Sequence, residues 1–270
     1  MDKAVEARVA HMPNGVCRGV RAKGSERYLS RNTSKDGRRS GRLVAQAEGT
    51  VAVACSDSEP LYSRMQERFN TISHVLGVIL GVFALGWLLK AVSLDPLPNK
   101  MVAAVVYCVS LVVLYAMSAT YHMLPQGRAK RAFRVADHCT IYLLIAGCYT
   151  PVCLTLLWDS PMGLPILLIE WGLAALGIIL NALCMRALPV KVFSMVSYLV
   201  MGWMVMFVPF PLLLNAGASW LVWLLVGGVL YTVGIVFYVL GKWHPRMHCV
   251  WHLFVLFGSA FQLAGFVQLF

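Results

Sequence analysis

The sequence predicts an all-α, polytopic membrane protein with seven transmembrane helices. Three observations lead there. First, of 270 residues 59% are hydrophobic and only 13% charged, about half the charged share of an ordinary soluble domain. Second, seven apolar runs follow Arg68, most of them near the ~20 residues that a helix needs to cross a ~30 Å hydrocarbon core. Third, the loops between the runs are short and leave no room for a soluble domain. At this segment length only helices satisfy their own backbone in lipid.

The chain opens on residues 1–64, rich in Arg, Ser, Gly and Ala and without lasting apolar periodicity. This stretch is expected to be a disordered basic tail. No apolar h-region follows its early charges, which argues against a cleaved secretory signal. An Arg/Ser-rich organelle transit peptide and a translation start at Met65 are the other readings, and Asp2, Glu6 and Glu26 count against the first of these. The membrane domain is expected over residues 65–270. Its segments run Ile72–Val92, Met101–His122, Cys139–Trp158, Met162–Met185, Phe193–Leu214, Trp220–Leu240 and His248–Phe270. Pro151, Pro165, Pro209 and Pro211 are expected to kink or end helices. No convincing internal repeat is visible, which weighs mildly against transporters built from inverted repeats.

Loop charge sets an expected orientation. Arg64 and Arg68 precede the first segment, and Arg128, Lys130, Arg131 and Arg134 join the second to the third. Arg186 and Lys191 join the fourth to the fifth, and Lys242 and Arg246 the sixth to the seventh. The loops on the other side carry only Lys100. The positive-inside rule then predicts a multi-pass protein of the cell membrane, N-terminus cytoplasmic and C-terminus outside. The net charge of +11 sits in the tail and loops. With no recognition motif it does not imply nucleic acid; membrane lipids are the expected partners, and no signal for an oligomeric state is present. The eight cysteines are scattered without a CxxC pair, so they read as small apolar packing residues rather than a disulfide framework.

This topology brings the polar candidates to one depth. His248 and His252 lie four residues apart, on one helical face about 6 Å apart along the axis. Two imidazoles so spaced can bind one transition metal. His122 ends the second segment at the same depth and would complete three nitrogen ligands with a fourth position open, the catalytic zinc pattern. Each histidine alone also reads as an interfacial or buried side chain bonded to backbone or water. Asp137, near the expected start of the third helix, could take a proton from water; its bland role is an N-cap. Apart from Glu67, placed before the first helix, it is the one acid at that depth. Ser118 shares a face with His122 and could hold a substrate oxygen, or bond back to its own helix. His74 is a candidate outer partner of the metal. His138 points to another face, and His244, beside Pro245, reads as a loop residue. Glu170, inside the fourth segment toward the outer half, is a functional candidate by virtue of being an intramembrane carboxyl.

These pieces resemble the hemolysin III family, the bacterial relatives of the progestin and adipoQ receptors. The resemblance rests on residues 70–77 (Asn-Thr-Ile-Ser-His-Val-Leu-Gly), Ser118-Ala-Thr-Tyr-His122, Asp137-His-Cys-Thr-Ile141, Tyr149-Thr-Pro151, residues 198–203 (Tyr-Leu-Val-Met-Gly-Trp) and His248-Cys-Val-Trp-His-Leu253. It covers the chain from about Glu67 onward. It implies a seven-helix fold with a cytoplasmic N-terminus and a Zn2+ ion held by His122, His248 and His252. Asp137 falls on the family's aspartate near the zinc water, and Ser118 on the serine of its SxxxH motif. It also implies, for function, a metal-dependent hydrolase of lipid amides such as ceramides, linked to membrane lipid homeostasis. The alternative is a channel-like cytolytic protein, or a receptor, in which zinc is structural. The family name alone decides nothing about chemistry.

Overall fold

The computed structural model describes residues 62–94 and 97–270. Residues 1–61 of the expected tail lie outside the described residues. The first helix, α1 (Arg64–Leu94), starts where a reciprocal cap dictates. The Gln66 backbone N–H bonds Ser63 Oγ at 3.2 Å, and the Ser63 N–H bonds Gln66 Oε1 at 2.8 Å. This Ser-x-x-Gln capping box satisfies two donors that a helix start leaves open. The helix therefore begins about two turns before the apolar run at Ile72. Glu67 belongs to it, not to a preceding loop.

α2 (Pro98–Met123) begins with proline at its first position, where no N–H is needed. α3 (Arg128–Pro151) begins about three turns ahead of Cys139. Asp137 is thus inside α3 and is not its N-cap. Pro151 ends the regular part of α3, and a π-helical turn follows over Val152–Leu156. α4 (Gly163–Cys184) carries Pro165 in its first turn, so that proline neither kinks nor ends a helix.

The expected run Phe193–Leu214 is broken. It forms α5 (Leu188–Gly202), a 3-10 turn over Met204–Phe207 and the short α6 (Phe210–Leu214). Val208 is extended before Pro209, as the ring of a following proline requires. Side chains satisfy the freed backbone. Tyr149 Oη donates to the Gly202 carbonyl at 3.2 Å and accepts the Val205 N–H at 2.8 Å, and Trp220 Nε1 donates to the Leu213 carbonyl at 2.7 Å. Irregular backbone at membrane depth needs such partners. α7 (Ala218–Leu240) and α8 (Arg246–Phe266) complete the described helices. Six of them are long and apolar enough to cross a membrane, and α5 is a shorter apolar seventh.

Large apolar side chains lie on the outside of the helices as well as in the core. On α1 the buried residues are Asn70, Ser73, His74, Gly77, Gly81, Ala84, Leu88 and Val92, while Leu76, Ile79, Val82 and Phe83 face outward. Lipid is as apolar as leucine, so close packing of small and polar residues drives helix association. Gly77 admits the ring of Tyr115 on α2, which a Cβ would meet directly. Sequential helices α1 to α4 pack in order, α7 and α8 form a hairpin, and α8 closes against α1. Tyr115 Oη bonds Ser259 Oγ at 2.7 Å, which ties α2 to α8 as well.

Candidate metal centre

At one end of the bundle α2 finishes, α1 and α3 begin, and α8 begins. α2 delivers His122 in its last turn, and α8 delivers His248 and His252 from its first turns. His122 and His252 are each 2% exposed. One nitrogen of each histidine lies within 4.8 Å of the others, so the three could hold one metal ion. His248 Nε2 and His252 Nε2 are 3.0 Å apart. Nitrogens on one tetrahedral ion at a ligand distance near 2.05 Å are about 3.3 Å apart, so a small movement would suffice.

The polar inventory supports that use. His122 Nε2 is buried and has no hydrogen-bond partner among the described residues. Its other nitrogen, Nδ1, is 2.6 Å from Glu67 Oε2. A carboxylate this close accepts a hydrogen bond from Nδ1–H, which holds the ring in the tautomer whose Nε2 carries a lone pair for a metal. Asn70 Nδ2 is 3.4 Å from the same Nδ1; both would be donors, so the shorter carboxylate contact decides the tautomer. Glu67 Oε1 in turn accepts from Lys130 Nζ at 2.8 Å. Lys130 is buried, and its remaining hydrogens go to the Tyr121 and Leu124 carbonyls at 3.0 Å each. Those carbonyls belong to the unpaired C-terminal end of α2. One ammonium therefore closes a helix end and fixes the acid that fixes His122.

The walls are aromatic. The Tyr62 ring stacks on His248 with centroids 4.9 Å apart and leans on His122 at 5.7 Å. Burial first, then the neighbouring Tyr121 and Tyr238, push its phenol well above the ordinary value, so Tyr62 stays neutral. His74, 3% exposed, lies 3.9 Å centroid to centroid from His252, and neither of its nitrogens has a partner among the described residues.

The other candidates are placed less closely. Ser118 is 2% exposed, one turn before His122. Thr120, two residues on, donates to the Ala116 carbonyl at 2.7 Å. Asp137 is half-buried on α3 and is not in the group of three histidines that could hold a metal. Its neighbour His138 approaches Tyr238 at 6.2 Å, and Tyr238 approaches His248 at 6.3 Å. The acid that touches the cluster is Glu67. Sequence reasoning left Glu67 and Lys130 outside the site because hydropathy locates only the apolar part of a helix. The Ser63-x-x-Gln66 cap would have put Glu67, Asn70 and His74 on one face of α1.

The comparisons show the family. The family profile described as Haemolysin-III related matches residues 62–263. The chain is 40% identical to Hemolysin-3 of Bacillus cereus over 195 residues, 72% of this chain and 87% of that protein. It is 35% identical to the Hemolysin-3 homolog of Bacillus subtilis (strain 168) over 203 residues, 74% of this chain and 92% of that one. A more distant relative is the human Monocyte to macrophage differentiation factor, 29% identical over 166 residues, 60% of this chain and 67% of that protein. With its membrane helices, its buried histidine cluster and this match over most of its length, the chain belongs to the haemolysin III family.

Proposed function

We propose that the protein is a zinc-dependent hydrolase of lipid amides, serving membrane lipid homeostasis from within the cell membrane. The observation that carries the reading is the pairing of a buried three-histidine cluster with a carboxylate that fixes one imidazole's tautomer. Three imidazoles from two helices suit zinc. When bound, zinc supplies Lewis acidity and brings the pKa of a water to about 7. His122, His248 and His252 would hold the ion; Glu67 holds His122 in its binding tautomer. Asp137 takes the proton of the attacking water and returns it to the leaving amine. Ser118, one turn before His122, holds the lipid carbonyl oxygen. In the proposed orientation the N-terminus is cytoplasmic and the cluster lies near that face, at headgroup depth, where the amide of a ceramide-type lipid would sit.

The test is metal analysis of purified protein followed by turnover of a ceramide in bilayers. Wild type should carry zinc and cleave the amide, His248→Ala should lose both, and Asp137→Asn should keep zinc and lose turnover. Metal-free wild-type protein would sink the reading. The name of the two bacterial relatives favours lysis instead. Leakage of an ionic dye from liposomes, without amide cleavage, would replace the hydrolase by a pore whose zinc is structural.

A further inference from the structure

A second buried acid lies far from the histidines. Glu170 is on α4, about two turns from its start, and is 0% exposed. Neither of its carboxyl oxygens has a hydrogen-bond partner among the described residues. The groups within electrostatic reach are Cys148, Tyr149 and Cys153, at the end of α3. The histidine cluster sits beside the opposite end of α3, so the two sites are independent.

The end of α3 that Glu170 faces is broken. Pro151 has no N–H to give the Gly147 carbonyl. The π-helical turn that follows closes with the Leu157 N–H on the Val152 carbonyl at 2.9 Å. Single π turns recur at functional sites, and a carboxyl opposite an interrupted membrane helix is the usual setting of an intramembrane ion site.

The neighbouring groups choose the ion. A metal cation would need several free oxygens. The Tyr149 hydroxyl is already committed to Gly202 and Val205, and the Thr150 hydroxyl donates to the Ala146 carbonyl at 3.0 Å while accepting from Trp171 Nε1 at 3.2 Å. Among the side chains within electrostatic reach, that leaves the thiols of Cys148 and Cys153. No cation among the described residues pairs with the acid, and an unpaired charge here would be costly.

We propose that Glu170 is an intramembrane proton-binding site, formed where α4 faces the interrupted end of α3. It takes up a proton as the neutral acid and gives it back, as a carboxylate, when the proton supply falls.

The experiment is infrared difference spectroscopy on the full chain in bilayers, comparing wild type with Glu170→Gln. At neutral pH the variant should lose the carbonyl stretch of a protonated carboxylic acid. In wild type the same band should fade as pH rises above neutrality and should ignore sodium. Loss of carboxylate bands instead would overturn the proposal. So would a protonated band that no pH removes, or one that sodium removes at constant pH. If Glu170→Gln does not fold, wild type labelled with 13C-glutamate serves. Of the other five glutamates, Glu67 is ion-paired and Glu6, Glu26, Glu48 and Glu59 precede the membrane helices, where an ordinary carboxyl is ionised at neutral pH. An isotope-shifted protonated band then reports Glu170, and its absence at neutral pH overturns the proposal.

Discussion

Replacing Glu67 by glutamine keeps the shape of the side chain and removes its charge. The contact at stake is the 2.6 Å bond from His122 Nδ1 to Glu67 Oε2. Hydrogen bonds to charged groups contribute about 1.5–3 kcal/mol, and loss of an outer partner of a ligating histidine typically costs about 10–100-fold in metal affinity. At about 1.4 kcal/mol per tenfold the two figures agree. Zinc affinity of Glu67→Gln should therefore fall by about 10–100-fold. The substitution also strips Lys130 of its counter-ion. Breaking a buried pair costs about 3–5 kcal/mol, less here because the Glu67 side chain is 18% exposed and screened by water. Lys130→Met separates the two effects. It should lower stability while Glu67 stays on His122, with zinc affinity within about threefold of wild type, well short of the loss for an outer partner. The assay is zinc competition against a chromophoric chelator, alongside thermal unfolding. A folded Glu67→Gln protein that binds zinc as tightly as wild type would refute the role assigned to Glu67. Equal losses of affinity in the two variants would assign the effect to the fold instead.

Three further outcomes are expected. Chelation should lower the unfolding midpoint of wild type but leave His122→Ala unmoved, since zinc held at 100 times its Kd adds about 2.7 kcal/mol. Gly77→Ala should destabilise by about 1–3 kcal/mol, because the added methyl meets the Tyr115 ring. Gly172→Ala, with nothing within 4 Å, should be neutral or slightly stabilising; denaturant unfolding compares the pair. With exposed Cys184 as the sole cysteine, a membrane-impermeant maleimide should label inverted vesicles and spare intact cells; the opposite pattern would reverse the proposed orientation.

The apolar runs were legible because lipid leaves a chain few ways to satisfy its backbone. The histidines were legible because the i, i+4 spacing and the order of crossings put them at one depth. The polar turns were not. α1 and α3 each start well before their apolar stretches, held by the Ser63–Gln66 cap and by Lys130. Misplacing those starts put Glu67 before the first helix and left an N-cap open as the bland role of Asp137; the contact of Glu67 with His122 went unseen. The fifth segment looked continuous because hydropathy does not register the break before Pro209 or the Tyr149 hydroxyl that supports it.

The closure of α8 against α1 and α2 bears on how the protein is made. During synthesis His122 enters the bilayer with α2, while its two partner histidines are still untranslated. Glu67 and Lys130 are already in place by then and can shield the early histidine. The cluster exists only once the α7–α8 hairpin has docked, so metal capture would be a late event that latches the last-arriving helices onto the first. A nascent chain stalled before α8 would have α1 to α4 packed in order but would lack the two histidines that complete the cluster.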